Sequence, residues 1–164
     1  MQRFSVYLGH PTYTLAIVLF SMLLFTGIGS LASERLTVGS HSRVRLVPLL
    51  IAGALVVCGL GLPVALAHTI GLGLASRSAV TLAFAAPLSM LLGLCFPIGV
   101  RLTADTPTVV AWAWGVNGAF GVLASILAVA LSIWVGIDAN FWVAAALYVA
   151  LVVPLGTLLR SRAA

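Results

Sequence analysis

The sequence predicts an all-α protein, a polytopic transmembrane bundle of about five membrane-spanning helices forming a single domain over residues 1–164. Three observations predict it. Of 164 residues, 62% are hydrophobic and 7% are charged, against about 25% charged in an ordinary soluble domain. With the apolar segments set aside, the longest polar stretch runs from Ser33 to Arg45, too short to fold by itself. From Val109 to Val135 no side chain is charged, and Trp112 and Trp134 lie about 33 Å apart along a helix, the thickness of a hydrocarbon core.

The segment from Met1 to Thr12 carries Arg3, Phe4 and Tyr7 and ends in Gly9-His10-Pro11, which reads as an interfacial lead-in. Pro11 or Thr12 opens the first helix, over 12–32. Gly27 and Gly29 near its end allow close backbone approach or a frayed terminus. Ser30-Leu31-Ala32 resembles a small-residue cleavage site, but the run before it is nearly span length and is preceded by a long leader with one arginine. The sequence favours an uncleaved membrane helix over a signal peptide.

Ser33 to Arg45, with Glu34, Arg35, His41, Arg43 and Arg45, is the most charged segment and is expected to be a cytoplasmic loop. The second helix is read over 46–67, with Pro48 in its first turn and Pro63 near its exit. The turn from Thr69 to Arg77 contains Gly71-Leu72-Gly73. No strand precedes these glycines and no acid follows to hold a ribose, so they read as a plain loop and not a nucleotide-binding turn.

The third helix is read over 78–100. Pro87 near its middle removes one backbone hydrogen bond and is expected to kink it, and Phe96-Pro97-Ile98-Gly99 is expected to break its end. The fourth helix, over 109–135, carries small residues at Gly118, Gly121, Ser125, Ala128 and Ser132, spaced by three and four on one face opposite the two tryptophans. Such a helix offers a smooth groove to neighbours and an anchored back, so the chain is expected to be organised around it. The fifth helix, over 141–159, leads to Arg160-Ser161-Arg162.

All eight basic residues are arginines, and none lies in the middle of an apolar segment, where each would cost about 2.5–3.5 kcal/mol. Five crossings set Arg3 and Arg77 on one side and Arg35, Arg43, Arg45, Arg101, Arg160 and Arg162 on the other. The positive-inside rule then puts the amino terminus outside and the carboxyl terminus in the cytoplasm. The net charge of +5 reports this topology. Arginines scattered over loops and ends make no basic face, so nucleic acid is not an expected partner, whereas the lipid bilayer is.

Asn117, beside Gly115 and Gly118, is the one strongly polar amide within a span. It must find a partner. An interhelical hydrogen bond, worth on average about 0.6 kcal/mol, is one reading, and a substrate or ion contact is the other. On the first reading Gly118→Leu, which blocks helix approach, should do more damage than Asn117→Ala. His10, His41 and His68 fall in three separate segments with no zinc-type spacing, so no metal site is expected. The acids Glu34, Asp105 and Asp138 all lie in loops, with Asp138 opposite the other two, which leaves no carboxylate pair for acid/base work. Cys58 and Cys95 lie at different depths and are expected to be free thiols. No catalytic or cofactor-binding residue is identified.

At Gly9-His10-Pro11-Thr12-Tyr13, Leu24-Phe25-Thr26-Gly27-Ile28-Gly29-Ser30, Phe96-Pro97-Ile98-Gly99-Val100-Arg101 and Ala113-Trp114-Gly115-Val116-Asn117-Gly118 the chain resembles the bacterial membrane-bound spermidine synthase-like proteins, over nearly its whole length. That family joins a methyltransferase-type nucleotide domain to polytopic membrane segments, and this chain resembles the membrane part. The resemblance implies the bacterial inner membrane and a cytoplasmic S-adenosylmethionine-binding domain, or other membrane helices, as partners. The family's glycine-rich cofactor loop, ribose-binding acid and amine-binding aspartates have no counterpart here, so no cofactor is expected in this chain. The expectation is a non-catalytic module, a fragment or split part of such a protein, that tethers or gates a synthase-like domain. The alternative is a small permease or exporter component, with Pro87, Pro97 and Asn117 as its broken-helix features.

Overall fold

The structure, a computed structural model, describes residues 2–37, 41–105 and 107–161. It is all α-helical, with no strand among the described residues. A short helix α1 (Gln2–Leu8) precedes α2 (Pro11–Thr14), which continues through a π-helical stretch (Leu15–Leu19) into α3 (Phe20–Thr37). Then follow α4 (His41–Thr69), α5 (Leu74–Leu102), α6 (Pro107–Trp134), α7 (Ala139–Ala150) and α8 (Val152–Ser161). Five segments, Pro11–Arg35, Val44–Thr69, Leu74–Leu102, Pro107–Trp134 and Ala139–Arg160, are long and apolar enough to cross a membrane. The chain thus has the character of a multi-pass membrane protein.

Local chemistry accounts for the ends of these elements. Gly9 adopts φ +77°, a left-handed turn that a side chain would resist. His10 then caps the next helix by accepting the Thr12 N–H at Nδ1, 3.3 Å away, and Pro11 occupies the first helical position. The lead-in is more than interfacial, because Phe4, Tyr7 and Leu8 are buried with Val18, Leu62 and Leu66. The charged stretch expected as a loop is mostly helix. α3 continues to Thr37, through Ser30 and the wholly buried Ser33, and α4 begins at His41, so only residues 38–40 remain between them and these lie outside the described residues. Continued helix satisfies the backbone groups that a loop at a membrane surface would leave open, and it carries Glu34 to Arg101 on α5, 2.9 Å away.

Pro97 does not end α5. The helix passes through both Pro87 and Pro97 to Leu102, where Thr103 closes it. Each proline costs one backbone hydrogen bond, and flanking helices keep the rest of the ladder in place. Pro154 has more effect: lacking an N–H for the Ala150 carbonyl, it accounts for the one-residue interruption at Leu151 between α7 and α8.

The core lies on α4 and α5. Val44, Val47, Ile51, Ala52 and Leu55 of α4 pack with Leu94 and Ile98 of α5, Ala145 of α7 and Leu159 of α8. On its other side α5 makes the most extensive helix contact of the fold, with α3. Small residues make that contact close. Thr81, Ala85, Ser89 and Gly93, four apart on α5, are all buried, as are Ser21, Gly29 and Ser33 on α3. A β-carbon added at Gly93 would collide with the Thr26 carbonyl, and one at Gly29 with the Met90 carbonyl. The Thr26 hydroxyl also donates to the Ser89 carbonyl at 3.3 Å.

The expected organising helix is therefore not the centre. α6 buries none of its described residues and touches the bundle chiefly through α7, with the Trp114 ring also edge-on to Phe96 of α5 at 4.7 Å and 76°. Gly118 and Gly121 of its small-residue face meet no neighbour among the described residues, and α4 and α5 take the middle.

Candidate functional site

Between α6 and the bundle lies an open cleft of about 710 Å³. α5 contributes Cys95, Gly99 and Thr103, α6 contributes Ala113 and Asn117, and α7 contributes Tyr148. Asn117 sits ten residues past Pro107, about 15 Å into the span and not far from its middle. It is exposed, and its amide has no hydrogen-bond partner among the described residues. In lipid such a group is costly to leave unmatched.

The other residues singled out on α6 share this openness. Space around Gly115, Gly118 and Gly121 is empty to 4 Å. Ser125 turns inward on its own helix, donating to the Val122 carbonyl at 2.7 Å, and Ser132 does the same to Ala128 at 2.7 Å. Pro87 and Pro97 lie within the continuous α5, and Asn117 is the only one of these site residues that lines the cleft.

Ion pairs tie the two ends of the bundle. At one end Arg3 pairs with Asp138, the Tyr7 hydroxyl is 2.6 Å from the Thr69 hydroxyl, and Arg77 Nη1 donates to the Tyr7 carbonyl at 3.0 Å. Beside the Arg3–Asp138 pair is a pocket of about 320 Å³ where Asn140 Nδ2 donates to Ser132 Oγ at 2.7 Å. At the other end Arg101 pairs with Glu34, and Arg45 Nη2 donates to the Gly156 carbonyl at 3.1 Å. Glu34 and Asp138 are thus each matched to an arginine, at opposite ends. They cannot meet across a substrate.

Among the described residues no three of His, Cys, Asp and Glu gather where a metal could sit. His10 stacks at a tilt on Tyr13, with centroids 5.5 Å apart, while the His68 ring bonds the Val64 carbonyl one turn back at 2.9 Å. Cys58 on α4 and Cys95 on α5 are free thiols. The arrangement offers a hydrogen-bonding amide in a mostly apolar cleft.

Two groups of residues were passed over in the sequence. The four-residue spacing of Thr81, Ala85, Ser89 and Gly93 was a readable small-residue stripe, hidden by the attention that Pro87 and Pro97 draw to the same helix. The meeting of Arg45 with Gly156, and the pocket that Arg45 and Arg160 line together, had no signal at all, because they depend on how α8 returns to α4. Comparison with protein-family models, with curated proteins and with solved structures finds no match.

Proposed function

We propose that this chain is a non-catalytic integral membrane module, the membrane part of a spermidine synthase-like assembly, which tethers or gates a cytoplasmic S-adenosylmethionine-binding domain. The observation that carries the reading is the bare flank of α6. Among the described residues this span-length helix buries no residue, has nothing within 4 Å of a β-carbon at Gly118 or Gly121, and offers Asn117 no hydrogen-bond partner. Small residues and an amide favour close packing and hydrogen bonding between membrane helices. The occupant we assign to the flank is a membrane helix of the polypeptide that carries the nucleotide domain, with a polar side chain at the depth of Asn117.

The arginine count supports a cytoplasmic site for that domain. Six arginines against two favour a cytoplasmic side for the short α3–α4 and α5–α6 connections and the carboxyl terminus, in a bacterial inner membrane. Cysteine placed at Gly121, with Cys58 and Cys95 changed to alanine, tests the reading by crosslinking in native membranes. The expected adduct contains a polypeptide that retains labelled S-adenosylmethionine. A self-adduct alone, or none, overturns it.

A second reading, a small permease or exporter component, rests on one observation, that Asn117, Thr103 and Tyr148 line a single cleft. Polar groups beside apolar helices are how transporters form midplane sites. Under that reading Asn117→Ala abolishes transport while leaving thermal stability in detergent intact.

A further inference from the structure

Where α4 and α8 meet, a second pocket, of about 300 Å³, is lined by Arg45, Val152, Val153, Gly156, Thr157 and Arg160. Two guanidinium groups from two helices enter it. Neither has a carboxylate partner among the described residues, although two of the other arginines, Arg3 and Arg101, do. Arg45 is half-buried and held by the Gly156 carbonyl, which fixes one edge of its fork and leaves other N–H groups to donate. Arg160 is exposed and has no hydrogen-bond or ion-pair partner among the described residues.

The depth of these residues identifies what they meet. Arg45 is the second residue of the Val44–Thr69 span and Arg160 the last of the Ala139–Arg160 span, so both guanidinium groups lie at the end of apolar segments, where hydrocarbon gives way to headgroups. From Arg160 the pocket runs back along α8 to Val152 and Val153, about 12 Å towards the middle of the span. Val153 is 72% exposed. A groove that is basic at the surface and apolar below has the polarity of a phospholipid, with the phosphate above and acyl chain beneath. A free phosphate would use only the upper half.

We infer that the Arg45–Arg160 pocket binds the phosphate of an anionic phospholipid, with the acyl chain lying along Val152 and Val153. The inference is independent of the function proposed for α6. Planar guanidinium groups match phosphate oxygens with paired hydrogen bonds, and basic pockets between membrane helices collect anionic headgroups. Arg101, at the same end but already paired with Glu34, serves as an internal control.

The test uses the full chain purified in a neutral detergent, titrated with short-chain phosphatidylglycerol, short-chain phosphatidylcholine or inorganic phosphate, with bound lipid counted by native mass spectrometry and thermal unfolding followed in parallel. Phosphatidylglycerol is expected to bind and raise the unfolding temperature, with phosphatidylcholine and phosphate much weaker. Arg160→Gln changes an exposed, unpaired residue and leaves the fold intact; it should weaken phosphatidylglycerol binding about fivefold, and Arg45→Gln with Arg160→Gln should weaken it further. Arg101→Gln should leave it unchanged. Equal binding by Arg160→Gln, or equal binding of phosphatidylcholine, overturns the site. Inorganic phosphate binding as tightly as the lipid overturns the lipid as its ligand.

Discussion

Gly93 of α5 lies against the carbonyl of Thr26 on α3, with no room between them for a β-carbon. The reciprocal approach, Gly29 of α3 against the Met90 carbonyl of α5, is as close. These two contacts bring backbone against backbone, so neither neighbour can turn aside for a larger side chain. Gly93→Leu is therefore expected to destabilise the chain by about 1–3 kcal/mol or more, enough to lower the yield of folded protein in detergent. Equal thermal stability of Gly93→Leu and the wild type would remove the seam from the account.

Gly118→Leu is expected to behave in the opposite way. A β-carbon there meets nothing within 4 Å, so the isolated chain should unfold at an unchanged temperature. From the sequence alone Gly118 is expected to be a packing position, with Gly118→Leu more damaging than Asn117→Ala. If α6 docks a partner helix, the same substitution should abolish recovery of the S-adenosylmethionine-binding partner in a pull-down from membranes. Thermal unfolding and recovery measured on one preparation separate the two effects.

How far the sequence could be read follows from which forces fix each feature. Five spans were legible because hydropathy and bilayer thickness act along the chain, and each expected range lies inside the observed apolar segment or departs from it by a residue at most. The position of α6 was not legible. A stripe of small residues says that a helix can be approached closely, but not by which neighbour, and Thr81, Ala85, Ser89 and Gly93 carried the same message on α5. Asn117 was legible as a polar group needing a partner, since its cost in lipid is a property of the residue itself. The cleft in front of it depends on the splay of α6 away from the bundle, which no local pattern encodes.

Arg3 and Asp138, paired across 135 residues of chain, hold α1 to the turn between α6 and α7. Asp138 remains 52% exposed, so the pair should contribute only about 0.2–1 kcal/mol. Arg3→Asp alone should loosen α1, and Asp138→Arg alone should do likewise. The double exchange should recover most of the loss, as read by protease sensitivity near the amino terminus. Additive damage in the double variant is incompatible with a direct pair.

The side of the membrane on which each end lies can be tested by fusion. With six arginines against two, alkaline phosphatase fused after Arg162 should be inactive, while a cytoplasm-active fluorescent protein fused there should shine. Phosphatase activity after Arg162 would invert the arrangement, and would place Arg45 and Arg160 at the outer leaflet.

The final prediction concerns S-adenosylmethionine, whose ribose and charged groups need a strand, a glycine turn and a helix start to hold them. In the described residues Gly71 and Gly73 belong to a short turn, closed by the Leu72 N–H on the Thr69 carbonyl at 3.1 Å, that leads from helix to helix. Glu34 is engaged by Arg101 at one end of the bundle and Asp138 by Arg3 at the other, so neither is placed to take a ribose hydroxyl beside these glycines. The cleft in front of Asn117 offers one amide against mostly apolar walls, which is a poor match for a charged sulfonium and an amino acid tail. Calorimetry of the purified chain with S-adenosylmethionine should therefore record no heat of binding, whereas a preparation crosslinked through α6 to its partner should bind. Micromolar affinity in the isolated chain would move the nucleotide site into the membrane module and end the tether reading.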